Sequence, residues 1–211
     1  MRPGSNVRGD SQAAQPARIL HLRTRTGAWQ TDRRKLAREC VYSETVSDLQ
    51  RFKDAQQQAE SGFVAALAEL RAGGKQGHWI WFIFPQLSGL GRSPQAERYG
   101  LADLDEALDY LRDPVLRERL LAVTATVATL VRAGQPLVVT MGSSVDTLKL
   151  VSSLTLFEAA AARLAGDADV QPLLRSATTI LDAAVTEGYP RCSTTQHRLA
   201  LLRGAESTGL G

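Results

Sequence analysis

The spacing of apolar residues between positions 114 and 133 constrains the fold more than any other feature of this sequence. Five of them follow one another at intervals of four and three: Leu116, Leu120, Val123, Val127 and Leu130. Because an α-helix turns once every 3.6 residues, this spacing puts the five side chains on one helix face. Asp113 followed by Pro114 is typical of a helix start, and Gly134 of a helix end. The segment therefore predicts a long central helix.

Seven further segments carry helix signals. The predicted helices start near residues 48, 60, 94, 103, 144, 169 and 193. Ser93 before a proline is typical of an N-cap, and one of the two serines at 143–144 is expected to cap the helix that follows. Ser193 and Gln196 have the spacing of a capping box for a last helix that ends near Gly204. Glycines at 73–74 and at 188 are typical stop signals.

The segment 137–141, Leu-Val-Val-Thr-Met, contains enough β-branched residues to resemble a strand. A five-residue apolar run with no partner strand in the sequence is more often a buried connector. With no alternating strand pairs and no internal repeat, the chain predicts an all-α, single-domain orthogonal bundle of about seven or eight helices. We expect the folded domain to span residues 47–204, with a flexible C-terminus at 205–211.

The N-terminal segment differs from the rest in composition and charge. Residues 1–44 hold nine Arg and Lys against four Asp and Glu, whereas residues 45–211 hold sixteen against eighteen. Without an apolar pattern, residues 1–46 are expected to be a disordered basic tail. Because Met1 and Met141 are the chain's two methionines, the alternative is that this segment is an artefact of a wrongly assigned start codon. The folded part lacks the broad positive surface that nucleic-acid binding uses, so a nucleic-acid partner is not expected.

Cysteine content and hydropathy restrict the compartment. Cys40 and Cys192 make no disulfide framework and no metal-binding spacing. The longest apolar run, residues 120–131, is too short to cross a bilayer, and the N-terminus lacks the apolar segment of a signal peptide. We therefore expect a cytoplasmic protein with no membrane association, no metal and no cofactor.

Residues 75–93 concentrate the unusual side chains. Four of the chain's twelve aromatic residues fall within six positions: Trp79, Trp81, Phe82 and Phe84. The rings could form the wall of a ligand pocket, with His78 and Gln86 supplying hydrogen bonds. The alternative is that most of the rings belong to the hydrophobic core. His78 begins the apolar run after a Lys-Gln-Gly loop, which places it at an edge of that core.

Basic and hydroxyl side chains supply two candidate anion contacts. Arg92 and Ser93 precede a predicted helix N-terminus, where free N–H groups and the helix dipole attract anions. The alternative is an ordinary turn and cap. Lys149 shares a helix face with Ser152 and Ser153. A lysine-activated serine is one interpretation, but small hydroxyls on a helix more often allow close helix packing. For Lys149 itself, a phosphate or carboxylate contact is favoured over a role as a base.

Several short motifs together resemble one protein family. They are D-L-Q-R-F (48–52), A-Q (55–56), E-L (69–70), K-Q-G-H-W-I-W-F-I-F-P-Q-L (75–87), G-L-G-R-S (89–93), Y-G (99–100), V-D-T-L-K-L (145–150) and S-S-L-T-L-F (152–157). The set resembles the bacterial domain-of-unknown-function family 1810 over about residues 47–204. The resemblance implies an all-helical domain and no established activity. Members of that family usually carry a basic residue at the position of Gly74, Ser or Thr at Gly77, and often a basic residue at Val151.

Two hypotheses of function follow. The first is a small anionic ligand, a nucleotide or phosphorylated metabolite, bound between the 75–93 stretch and the helix that contains Lys149. Its expected contacts are Lys75, Trp79, Trp81, Gln86, Arg92, Ser93, Tyr99, Lys149 and Ser153. Any proton transfer is assigned to His78, because imidazole titrates near neutrality. The second hypothesis is a protein-interaction module that docks a partner through an exposed Trp/Phe patch.

Overall fold

The computed structural model describes residues 49–208, with side chains described through Leu201. Residues 1–46, predicted to be a basic tail, and residues 209–211 lie outside the described part. The helices are α1 (Gln50–Gln56), α2 (Phe63–Arg71), α3 (Ile80–Ile83), α4 (Pro94–Arg98), α5 (Leu104–Arg112), α6 (Pro114–Arg132), α7 (Leu137–Met141), α8 (Ser144–Arg163), α9 (Gln171–Thr186) and α10 (Ser193–Thr208).

The predicted all-α bundle is confirmed. The described residues form helices and one isolated bridge between Leu87 and Leu101, with no strand among them. Eight of the ten helices in residues 49–208 correspond to the eight predicted ones, and α3 and α7 are two short additions. In the described part of the chain, no helix is both long and apolar enough to cross a membrane.

Helix α6 lies in the core, as its spacing predicts. Leu116, Leu120, Val123 and Val127 are at most 1% exposed, whereas Leu130, the last residue of the predicted stripe, is partly exposed. Helix α9 packs against both α6 and α8, and these three long helices form the centre of the bundle. Helices α2 and α5 cover α6 and α8, so that one continuous apolar core runs through the described domain.

Side-chain caps start four of the helices where the sequence predicts them. Ser93, Asp103, Asp113 and Ser143 each accept a hydrogen bond from a backbone N–H of the first turn. These bonds satisfy donors that the helix itself leaves free, which fixes where each helix begins.

Segment 137–141, which was expected to be a buried connector, forms one short helix between α6 and α8. Pro136 occupies the N-cap position of α7, and Gly142 ends the helix with a φ of 73°. Leu137 and Met141 are buried on one side, whereas Val139 is 56% exposed. Because the described chain offers this run no partner strand, a single helical turn satisfies its backbone instead.

The end of the chain also differs from the prediction. Helix α10 continues through Gly204 to Thr208 instead of ending near Gly204. Its first hydrogen bond joins the Gln196 N–H to the carbonyl of Cys192 at 2.9 Å. Cys192 therefore takes the N-cap position that the capping-box prediction gave to Ser193.

Candidate functional site

The loop of residues 73–79, called the signature loop below, is held by one carboxylate. Oxygen Oε2 of Glu69, in α2, accepts hydrogen bonds from the Gln76 N–H at 2.7 Å, the Gly77 N–H at 2.8 Å and the Trp79 indole N–H at 2.7 Å. Burial raises the pKa of Glu69, but these three donors, together with the nearby charge of Lys75, lower it below its usual value. The loop conformation therefore depends on an ionised Glu69.

A second carboxylate joins the signature loop to α8. Oxygen Oδ2 of Asp146 lies 2.5 Å from the Lys75 ammonium, and Oδ1 lies 2.9 Å from the Lys149 ammonium. Burial raises the pKa of Asp146, whereas its bonds and charge interactions with Lys75 and Lys149 lower it below the ordinary range. We call these three residues the lysine–aspartate cluster. Two ammonium groups share one carboxylate, so the cluster carries a surplus positive charge.

Trp81 lies beside this cluster. The Lys149 ammonium is 4.5 Å from the centroid of the Trp81 ring, within the range of a cation–π interaction. Trp81 is partly exposed, unlike its aromatic neighbours in the sequence. A small cavity of about 10 Å³ adjoins the pair and is lined by Ile80, Trp81, Phe84, Gln86, Ala96, Tyr99 and Lys149. This volume holds about one water molecule and cannot enclose a ligand.

The remaining rings of the 75–93 stretch belong to the core. Trp79 is 0%, Phe82 7% and Phe84 1% exposed. Tyr99 is also buried, with its ring 6.0 Å from that of Phe52 and 5.4 Å from that of Phe82. The rings therefore form no exposed Trp/Phe patch in the described part of the chain.

The structure brings five of the ten predicted site residues together. Gln86 and Tyr99 line the small cavity with Trp81 and Lys149, and Lys75 joins them through Asp146. Both Gln86 and Tyr99 are less than 9% exposed. Gln86 and Tyr99 therefore form the buried side of the site, and the two lysines and Trp81 form the side nearer the solvent.

Three predicted residues lie outside this group. His78, Arg92 and Ser93 are exposed and none of them lines the small cavity. The Ser93 hydroxyl accepts the Ala96 N–H at 3.2 Å, so one donor of the predicted anion site is already occupied. Within the described residues, no side chain holds the His78 imidazole in a fixed orientation.

The remaining two predicted residues are buried. Trp79 faces Glu69, and the Ser153 hydroxyl is enclosed without a hydrogen-bond partner among the described residues. Lys149 is bonded to Asp146, so its ammonium is committed to a carboxylate. This arrangement does not match that of a lysine activating a serine, which requires an unprotonated amine beside the hydroxyl.

The sequence argument missed Glu69 and Asp146, which organise the site. Both lie inside motifs that carry the family resemblance, at 69–70 and 145–150. Neither motif contains a second acidic residue or a metal-type spacing. The detectable signal was the presence of an acidic residue within each of these two motifs.

A larger cavity lies between α8 and α10, away from the signature loop. Its volume is about 500 Å³, and its lining consists of Thr155, Glu158, Ala159, Ala162, Arg191, Gln196, Leu199 and Ala200. Arg191 binds Glu158 through two nitrogens at 3.0 Å each, and these bonds raise the pKa of the arginine above its usual value. The small alanine side chains leave this space open. No sequence signal predicted it.

The fold and the site together define a compact helical domain whose conspicuous loop is pinned by two carboxylates. A model of the family described as protein of unknown function (DUF1810) matches residues 46–176. The chain belongs to this family. The resemblance inferred from its motifs is thereby confirmed.

A solved relative supports the same conclusion. The chain is similar to the conserved hypothetical protein Rv1873 from Mycobacterium tuberculosis, with 37% sequence identity and a TM-score of 0.57. The similarity covers 72% of this chain and 96% of that protein. No curated protein matches the chain.

Proposed function

We propose that the chain binds a small anionic ligand, of the nucleotide or phosphorylated-metabolite class, on the face formed by Trp81 and the lysine–aspartate cluster. The observation that carries the proposal is the position of the Lys149 ammonium over a partly exposed indole, 4.5 Å from its centroid. A phosphate can accept hydrogen bonds from the ammonium while an adjacent planar group contacts the ring. Lys75 binds the same carboxylate as Lys149 and places a second positive charge at the site.

The site is open, which determines the expected affinity. The adjoining cavity of about 10 Å³ is too small for a ligand, so the ligand would lie on the surface. The Lys149 side chain keeps 23% of its exposure and that of Lys75 only 9%, so Lys149 is the main contact. An exposed ion pair contributes about 1 kcal/mol or less, and weak binding is therefore expected.

NMR titration with ATP, GTP and pyrophosphate tests this proposal. The indole N–H resonance of Trp81 is expected to shift, and Lys149→Ala should abolish the shift. Lys53→Ala is the matched control. Lys53 also pairs with an aspartate, Asp113, but it lies in α1 and does not line the proposed site. Asp146→Asn should tighten binding, because it removes the negative charge that competes for both lysines. An unchanged Trp81 resonance up to about 10 mM of every ligand, well above the Kd of a millimolar site, would refute the proposal.

Catalysis at this site would use His78. Its imidazole is exposed at the edge of the signature loop, and an imidazole can act as a general acid or base. The expected behaviour of His78→Ala is unchanged ligand affinity with loss of any turnover of the bound phosphate compound. If His78→Ala turns the ligand over at the wild-type rate, the assignment of His78 is wrong.

The second hypothesis, docking through a Trp/Phe patch, is disfavoured by burial. Of the four rings in residues 79–84, only Trp81 keeps appreciable exposure. A docking site needs several large side chains that the partner can cover. The anionic ligand therefore remains the function that the site geometry supports best.

A further inference from the structure

The cavity between α8 and α10 is formed by one face of each helix. Its lining residues are spaced three or four apart in both: Thr155, Glu158, Ala159 and Ala162 in α8, and Gln196, Leu199 and Ala200 in α10. Residues at this spacing share one face of a helix. The volume of about 500 Å³ lies within the range of small-molecule sites in proteins, about 300–1,000 Å³. The cavity is therefore large enough to hold a ligand.

Aliphatic side chains supply much of the lining. Leu199 is 4% exposed and belongs to the hydrophobic core, and Ala159 packs against that core. Ala162 and Ala200 are exposed and lie on the side nearer the solvent. An apolar molecule that enters from this side would remove aliphatic surface from water, which favours binding.

Two polar side chains of the lining are already bonded. Oxygen Oε1 of Glu158 accepts Nη2 of Arg191 at 3.0 Å and the Thr178 hydroxyl at 3.2 Å, and Oε2 accepts Nε of Arg191 at 3.0 Å. The Thr155 hydroxyl donates its hydrogen to a carbonyl of its own helix at 2.7 Å. Glu158 and Thr155 therefore hold the wall of the cavity in place and offer no donor to a ligand.

Two other side chains of the lining keep free donors. The Arg191 guanidinium uses Nε and Nη2 for Glu158 and Asp182, and its Nη1 has no partner among the described residues. The side-chain amide of Gln196 likewise has no partner in residues 49–201. Each of these nitrogen atoms carries two N–H groups. A carbonyl oxygen is an acceptor that both side chains can serve.

The charges around the cavity disfavour an ionised ligand. Arg191 is shared between Glu158 at 3.0 Å and Asp182 at 3.2 Å, so the group carries one positive and two negative charges. An anion would be repelled by the surplus carboxylate. An ammonium would find both Glu158 oxygens already bonded and would leave water for an aliphatic lining, which is costly for an unpaired charge. A neutral ligand avoids both penalties.

We propose that this cavity is a binding site for a small neutral ligand that has an apolar body and a carbonyl oxygen, as in primary amides. The apolar body lies against Ala159, Leu199 and Ala200, and the carbonyl oxygen accepts hydrogen bonds from Nη1 of Arg191 and from the Gln196 amide. The site is separate from the lysine–aspartate cluster and has the opposite preference in charge, so it does not rest on the proposed anionic ligand.

Three compounds with the same ring test the preference for a neutral ligand: indoleacetamide is neutral at pH 7, indoleacetate is an anion and tryptamine is a cation. Each is titrated into the isotope-labelled full chain, and NMR follows the side-chain N–H resonances of Gln196 and Arg191. Indoleacetamide is expected to shift both resonances and to bind about tenfold more tightly than either charged compound. No shift with indoleacetamide up to about 10 mM, or equal or tighter binding of a charged compound, overturns the proposal.

Filling the cavity tests its location. Ala159→Leu places a larger side chain in the lining and should abolish the shifts caused by indoleacetamide. Ala125→Leu makes the same replacement at an exposed position of α6, outside the lining, and should bind as the wild type does. Ala200→Leu, at an exposed position of the same lining, is a second filled variant in case the first fails to fold. Wild-type affinity in a folded, filled variant would refute the location.

A neighbouring pair in α10 tests the carbonyl contact. Gln196→Leu removes the amide and should weaken indoleacetamide binding about fivefold, the loss of one hydrogen bond between neutral groups. His197→Leu replaces the next residue, which is exposed and does not line the cavity, and should leave the affinity unchanged. Equal affinities of these two variants would show that the Gln196 amide does not hold the ligand, which contradicts the proposal.

Discussion

The single carboxylate of Glu69 is expected to determine the stability of the signature loop. Glu69→Ala leaves three donors without their acceptor, and one of them, the Trp79 indole N–H, belongs to a side chain that is 0% exposed. The buried indole accounts for about 2 kcal/mol, and the two backbone N–H groups, which water can reach, for about 0.5 kcal/mol each. The expected loss of unfolding free energy is therefore about 3 kcal/mol.

Urea unfolding monitored by circular dichroism measures this loss. With an m-value of about 2 kcal/mol per molar urea for a domain of this size, the midpoint should fall by about 1.5 M. Glu69→Gln keeps an acceptor oxygen and should lose about half as much, because the charge is removed and the hydrogen bonds remain possible. Glu118→Ala, which removes an exposed carboxylate from α6, is the control and should leave the midpoint within about 0.3 M.

The pH dependence gives a second, independent test. The pKa of Glu69 in the folded protein lies below its unfolded value, so its contribution is present above the unfolded pKa and is lost as the pH falls through the folded pKa. The difference between wild type and Glu69→Ala should accordingly shrink between pH 7 and pH 3. A difference that stays constant over this range, or a Glu69→Ala midpoint equal to that of the Glu118→Ala control, would refute the reasoning.

Three further predictions concern single contacts, each measured by urea unfolding. Asp146→Asn should lose about 2 kcal/mol at neutral pH, and this loss should vanish as the pH falls through the lowered pKa of the carboxylate. Gly142→Ala should cost about 3 kcal/mol of unfolding free energy, because its φ is +73° and the added Cβ would lie 2.8 Å from a carbonyl oxygen. Gly188→Ala should cost about 1 kcal/mol, because its φ is +87° but the added Cβ would meet open space. Tyr110→Phe should cost about 1–2 kcal/mol, since it removes the hydroxyl that accepts the Gln56 amide at 3.0 Å; an unchanged midpoint would contradict this.

Helix positions were predictable because their signals are local. The four-and-three spacing of α6 and the caps at Ser93, Asp103 and Asp113 each depend on residues within one or two turns. The helical turn of α7 was not predicted. Its β-branched residues favour an extended backbone, so local propensity did not indicate the short helix that forms there.

The sequence identified the segments that form the candidate site but not the ion pairs between them. Residue type alone singled out Lys75, Trp81 and Lys149 as candidates. It could not show that Asp146 lies between the two lysines, because that contact joins residues 71 positions apart. Likewise, the hydrogen bond from the Cys192 N–H to the Thr155 hydroxyl joins the start of α10 to another helix, α8.

The contacts of the signature loop also set the order in which it can form during synthesis. The Gly73 carbonyl accepts the Gln135 amide at 2.5 Å, the Lys75 N–H donates to the Thr140 carbonyl at 2.9 Å, and the Lys75 ammonium binds Asp146. All three partners leave the ribosome about 60–70 residues after the loop does. At about 5–20 residues per second, the tryptophan-rich segment waits several seconds before these partners are available. During that interval its apolar side chains lack their final neighbours and are exposed to aggregation.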